Sequence, residues 1–250
     1  MLLRHVTQHL RKQEWTAIGI DFLIVVIGVF VGLQAQEWYS EQARRVADSQ
    51  YVERMHREVV ELVAIRENVV KPRSKSFADI STATSKLFGD ELATELTTDE
   101  CAAIQLSHAF TSPTTSIPTI DELISAGRLD SLSSHGLRSA ITRYTQSAAR
   151  ANDLLVAVNS DSLILTRKYP DLIALDAREE RDFGLLLPSA VPSCNLANMR
   201  TNQAFLNDLA DNKSRFDTYY RITLAEPTER LKQLHTELDR SLGIEHEGGI

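Results

Sequence analysis

Residues 15–39 read WTAIGIDFLIVVIGVFVGLQAQEWY, and within them Phe22–Leu33 is an unbroken run of twelve apolar residues. Ala17–Ala35 holds one charge, Asp21. A run of this length with aromatic ends predicts a transmembrane helix. Trp15 and Trp38 lie 23 residues apart. At about 1.5 Å per residue that is roughly 35 Å, which sets Trp15, Trp38 and Tyr39 as interfacial anchors on either side of a hydrocarbon core of about 30 Å. A buried core helix is one alternative, but it does not account for aromatic residues at both interface depths. A cleaved signal is the other, and a cut after Ala35 would put bulky Leu33 where a small side chain is wanted.

Working outward, the fourteen residues before the span carry Arg4, Arg11 and Lys12, against Arg44 and Arg45 soon after it. This bias, and the ease of leaving a short tail behind, predict a cytoplasmic N-terminus and an exported bulk. Leu2, Leu3, Val6 and Leu10 can share one helical face opposite the tail's basic residues, so residues 1–14 are expected to lie along the inner interface. Residues 1–37 balance in charge, so the whole net charge of −7 belongs to 38–250. An acidic exported part neither tracks nucleic-acid phosphates nor hugs anionic lipid. With 43% hydrophobic and 24% charged residues the chain can build a core, and a mean hydropathy of −0.19 excludes a polytopic membrane protein. Ten Gly and seven Pro in 250 residues are too few turns for a sandwich or barrel.

Gln34–Lys71 contains neither Gly nor Pro, so the helix is expected to leave the membrane as a stalk over 40–71 until Pro72 stops it. Val52, Met55, Val59, Leu62 and Val69 follow three/four spacing, with Arg66 breaking the series, and that stripe needs a partner. Ser74–Phe88 reads as a second helix ended by Gly89. Thr97–Phe110 reads as a third, opened by a Thr97/Glu100 capping box. Thr111–Pro118 reads as a loop. A second capping box, Thr119/Glu122, and Gly127 as a left-handed stop make a tight corner that returns Leu129 and Leu132 to the core. From Leu137 to Tyr169 ten positions keep helical register, predicting a helix of roughly 50 Å. A last helical region spans about Asn195–Leu242, kinked or split by Pro227. No strand pattern stands out, and 176–182, DAREERD, reads as a solvated helix end. The expected fold is all-α: a transmembrane helix over 15–39 continuing into the stalk, then an antiparallel helical bundle over 72–250.

The string EWTAIGIDFLIVVIGVFVGLQAQEW at 14–38, followed by a long charged helix and later by DELISAGRLDSL at 121–132 and LRSAITRY at 137–144, resembles a family of bacterial single-pass membrane proteins of unknown function. The resemblance covers roughly a third of the chain. It implies an N-terminal inner-membrane anchor with a helical extramembrane domain, and it transfers no catalytic residue.

Asp21 stands out chemically, because a carboxylate inside the hydrocarbon faces protein or water. Counting by four and three from it gives Val25, Gly28, Gly32 and Ala35, a small-residue strip containing the GxxxG match GVFVG. Close packing against another helix, passive marking of depth near Arg11 and Lys12, and proton transfer are the three roles open to Asp21. Cys101 and Cys194, the only cysteines, form a disulfide in an exported domain unless they are buried thiols too far apart to join. His5 and His9 are spaced i, i+4 without a third ligand, and His56, His108, His135, His235 and His246 are scattered, so no metal or cofactor is expected. The motifs GxSxG, HExxH, GxGxxG and a phosphate-cradling lysine loop are missing. The expectation is a non-catalytic protein that docks to itself or to another membrane protein through its span and stalk. An ion-coupled envelope subunit using Asp21 and a periplasmic enzyme with a dispersed site are the alternatives.

Overall fold

The computed structural model describes residues 15–89, 94–160, 162–183 and 188–245. The tail 1–14, with His5 and His9, and the side chain of Trp15 lie outside the described residues, as does His246. The chain divides into two compact units, Met1–Gln50 and Tyr51–Ile250.

Helix α1, Trp15–Phe88, begins in the first unit and ends in the second. Its first part holds the one helix segment of the described residues that is long and apolar enough to cross a membrane, and no side chain in its most apolar window is buried.

In the second unit α1 is followed by α2 Thr98–Gln105, α3 Pro118–Ser125, a 3₁₀ turn Leu129–Ser131, α4 His135–Asn159 and α5 Leu165–Lys168. The hairpin β1 Ile173–Arg181 and β2 Ser189–Cys194 comes next, then α6 Leu196–Thr201, α7 Gln203–Thr218, a π-helical segment Tyr219–Ala225 and α8 Glu226–Leu242. The fold is all-α apart from that antiparallel hairpin, whose register runs from Ile173 opposite Cys194 to Arg181 opposite Ser189.

One stripe organises the unit. Along α1, positions 52, 55, 59, 62, 66, 69, 73, 76, 80, 83 and 87 alternate steps of three and four, and all are buried except half-buried Ser76. This is the period that keeps one helix face turned to a core. Val52, Met55, Val59 and Leu62 pack with Ile120 and Leu123 of α3, Leu137, Ile141 and Tyr144 of α4, and Leu231, Leu234 and Leu238 of α8. Val69 and Ile80 meet Phe110, Val158, Phe216 and Tyr219. Ala83 and Leu87 meet Ile104, Leu196, Met199 and Phe205. Helices α4 and α8 are antiparallel: Gly136, at the start of α4, faces Glu237 near the end of α8, while Val158 near the far end of α4 meets Tyr219 and Leu224 of the π-helical segment.

Several expectations are corrected. Pro72 lies inside α1 and does not end it. Its missing N–H costs a helical bond, commonly about 3 kcal/mol, and burial of Val69, Arg73 and Ile80 on either side holds the helix together. Helix α2 stops at Gln105, short of Phe110. The Thr119/Glu122 box does not form. The N-cap of α3 is Ile117, without a side-chain hydrogen bond. The Thr119 N–H and hydroxyl instead donate to Glu58 at 2.9 and 2.8 Å, and Glu122 accepts from Tyr51 and Arg54. Helix α4 ends at Asn159, so Leu165 and Tyr169 leave its register. There Ser160 and Ser162 turn back on the Ala157 and Asn159 carbonyls. Buried Asn212 grips both the N–H and the C=O of Leu163, at 3.1 and 2.7 Å, giving the chain a non-helical partner.

The acidic run 176–182 lies largely on β1 rather than at a helix end. Asp176 and Arg178 are two residues apart, which puts them on one face of a strand, and they form a bidentate pair at 2.9 and 2.7 Å. The region 195–242 is split at Asn202, whose side chain caps α7 by accepting from the Phe205 N–H at 3.0 Å. It is altered again before Pro227, where the helix takes π geometry. The Thr97/Glu100 capping box forms as read, and Gly127 is left-handed at φ 63°.

Candidate functional site

Two places in the described chain gather chemistry, one in each unit. In the first unit Asp21, Val25, Gly28, Gly32 and Ala35 are all exposed on α1, and a Cβ added at Gly28 or Gly32 would meet nothing within 4 Å. The strip is therefore open to close approach by another helix backbone. Trp38 and Tyr39 are exposed at its end, their rings 5.4 Å apart edge to face.

In the second unit the first core ends beside a cluster that sequence spacing does not reveal. His56 stands on α1 next to Met55. His235 and Asp239 stand one helical turn apart on α8, flanking Leu238. The His56 Nε2 and the Asp239 Oδ1 are 2.9 Å apart, and His235 Nε2 is 3.5 Å from the same oxygen. The two rings are 5.2 Å apart and inclined by 31°. The three donor atoms fall within 4.8 Å of one another. Each of these side chains is mostly buried, at 17%, 11% and 12% exposure. Only the i, i+4 pair on α8 was visible as a local signal, because His56 is 179 residues from His235.

The stripe on α1 also turns inward two cations that the sequence reading set aside. Arg66 and Arg73 are fully buried, and burial pulls both guanidinium pKa values down. Arg66 Nε donates to Thr228 Oγ1 at 2.9 Å, Nη1 to the Pro113 and Thr114 carbonyls, and Nη2 to the Thr223 and Leu224 carbonyls at 3.0 and 3.2 Å. Pro227 has no N–H for the carbonyl four residues before it, which is that of Thr223. Arg66 supplies the missing donor and thereby seats the π-helical segment. Arg73 Nη2 donates to the Ala109 carbonyl at 2.7 Å, and its guanidinium lies 5.8 Å from the ring centres of Phe216 and Tyr219. Burial pushes the nearby Tyr144 hydroxyl up to about 12, and it donates to the Thr115 carbonyl at 2.7 Å. Both arginines therefore fasten the loop 109–114 and the π-helical segment to α1.

A cleft of about 290 Å³ between α1, α2 and the hairpin is lined by Lys75, Asp79, Asp99 and Arg181. Its charges are committed to each other: Lys75 pairs with Asp79 and Asp99 at 2.9 and 2.6 Å, and Arg181 with Asp99 at 3.7 Å. Beside it, Cys101 and Cys194 are joined by a disulfide that ties α2 to the base of the hairpin. Comparison with protein-family models, with curated proteins and with solved structures finds no match.

Proposed function

We propose that this chain is a single-pass protein of a bacterial inner membrane, with a cytoplasmic N-terminus and a periplasmic helical unit. It acts without catalysis of its own, by packing its span against a second copy or another membrane protein. The observation that carries this reading is the exposed apolar face of α1, with a carboxylate and two glycines in one open strip. Lipid satisfies the large apolar side chains. A carboxylate within the apolar stretch and backbone laid bare at Gly28 and Gly32 are better met by a second helix. The disulfide supports the exported side, since such bonds persist in oxidising compartments. The bacterial and inner-membrane assignment leans on the resemblance of the span and of DELISAGRLDSL.

The stalk stripe from Val52 to Val69 is buried within the same chain, so the open strip of the span is the contact this reading favours. A reporter active only in the periplasm, fused after Ile250, is expected to be active. In mild detergent, Gly28→Leu with Gly32→Leu is expected to lower oligomer mass or partner recovery, while exchange of Val26 for another apolar residue leaves both unchanged. Asp21→Asn is expected to preserve assembly. Assembly with loss of function in that variant would instead favour proton transfer through Asp21. Enlarged glycines without effect on mass or recovery would sink the packing role.

A further inference from the structure

We propose that His56, His235 and Asp239 form a binding site for a divalent transition-metal cation of the zinc class, which clasps the start of the second unit to its last helix. Two imidazoles and one carboxylate are the donor set that Zn²⁺ accepts with positions left over for water. Zinc bonds of about 2.0–2.2 Å in tetrahedral geometry place neighbouring donors roughly 3.3–3.5 Å apart. His235 Nε2 and Asp239 Oδ1 already stand at 3.5 Å. The His56 Nε2 to Asp239 Oδ1 distance of 2.9 Å is that of a hydrogen bond and needs to open by only a few tenths of an ångström.

The supports are firm. His235 and Asp239 are held by α8 at i, i+4, which sends both side chains to one face. Leu231, Leu234 and Leu238 anchor that face in the first core, as Val52, Met55 and Val59 anchor α1 around His56. His56, at 17% exposure, marks the side from which a cation would enter, while the His235 Nε2 is enclosed. The carboxylate sits between the two imidazoles, hydrogen-bonded to His56. A bound cation would join residues 179 and 183 positions apart.

The test uses the full chain in detergent, in a His5→Asn/His9→Asn background that removes the other i, i+4 histidine pair. Equilibrium dialysis against Zn²⁺, with a chromophoric chelator as competitor, is expected to give one bound equivalent. The thermal midpoint should rise with Zn²⁺ and fall back on chelation, because a ligand that binds only the folded state stabilises it. His56→Gln is expected to weaken zinc affinity by at least about 100-fold, beyond the 10–100-fold an outer-shell partner contributes. Asp239→Asn should act in the same direction. His56 is on the rim, so its variant keeps the helical circular-dichroism signal even where a His235 variant unfolds. With Co²⁺ in place of Zn²⁺, the visible ligand-field bands of a four-coordinate site should appear and vanish in His56→Gln. Absence of stoichiometric zinc, or zinc retained equally by His56→Gln and Asp239→Asn, would overturn the site.

Discussion

Arg66 shows why single residues in this protein resist reading from sequence alone. In the one-dimensional pattern it interrupts an apolar stripe. In space it continues the stripe, because its polar end donates to backbone carbonyls that a leucine could not serve. Replacing a buried ion pair with apolar residues is often neutral, since both charges and their desolvation vanish together. Here the acceptors that lose their donor are the Thr223 and Thr114 carbonyls, which stay when the arginine goes, while the Leu224 carbonyl keeps the Thr228 hydroxyl. Each buried group left without a partner costs about 1–3 kcal/mol. Arg66→Met is therefore expected to lower the unfolding free energy by roughly 3 kcal/mol or more, read as a shifted urea midpoint with little change in slope. An unchanged midpoint would mean that water enters and satisfies the π-helical carbonyls.

At the scale of elements, local chemistry was legible and non-local chemistry was not. The Thr97/Glu100 box and the left-handed Gly127 are fixed by neighbours within a turn, and both stand where the residues placed them. Thr119 and Glu122 carry the same local signal, but Glu58 and Arg54 from α1 outcompete it. The long helix read from Leu137 to Tyr169 fails because Asn212, far along the chain, takes both backbone groups of Leu163. The hairpin was missed because β1 carries no alternation: Ile173 alone is buried, and the rest of the strand, Leu175 included, is exposed or half-buried. Glu100 adds a pH dependence to α2. Burial alone would raise its carboxyl, but Lys86 Nζ at 2.7 and 2.8 Å and the Thr97 N–H at 2.8 Å outweigh it, so the carboxyl falls below its ordinary 4.5. A depressed folded value contributes stability above 4.5 that disappears as pH falls through the folded value. At neutral pH, Glu100→Gln is expected to cost about 1–3 kcal/mol, as a charge-assisted bond to the half-buried Lys86 is lost. Its deficit against the native chain should shrink steadily below pH 4.5 in denaturant titrations. A deficit constant from pH 7 to 3 would remove Glu100 as the titrating group.

Across the whole molecule the covalent link matters most. The all-α architecture and the exposed apolar stretch of α1 were legible because hydropathy and period are properties of contiguous residues. The clustering of His56 with His235 and Asp239 was not, since no local pattern joins residues so far apart. The pairing of Cys101 with Cys194 followed only from their being the sole two cysteines, and it closes a loop of 93 residues. Loop-closure entropy makes a loop of that size worth about 4–5 kcal/mol before any native strain. Cys101→Ser with Cys194→Ser is expected to lower stability by up to that amount, and the oxidised native chain should migrate faster than the reduced one on a denaturing gel. Identical migration, or two freely alkylated thiols in protein kept oxidised, would exclude the bond in solution. The same link also decides how the chain would carry tension. If an anchored N-terminus and a held C-terminus are drawn apart, force passes from Cys101 to Cys194 across a Cα separation of 5.8 Å. It bypasses α3, α4 and the hairpin. About 300 Å of extensible backbone stays slack inside the ring, to be released only by a reductant.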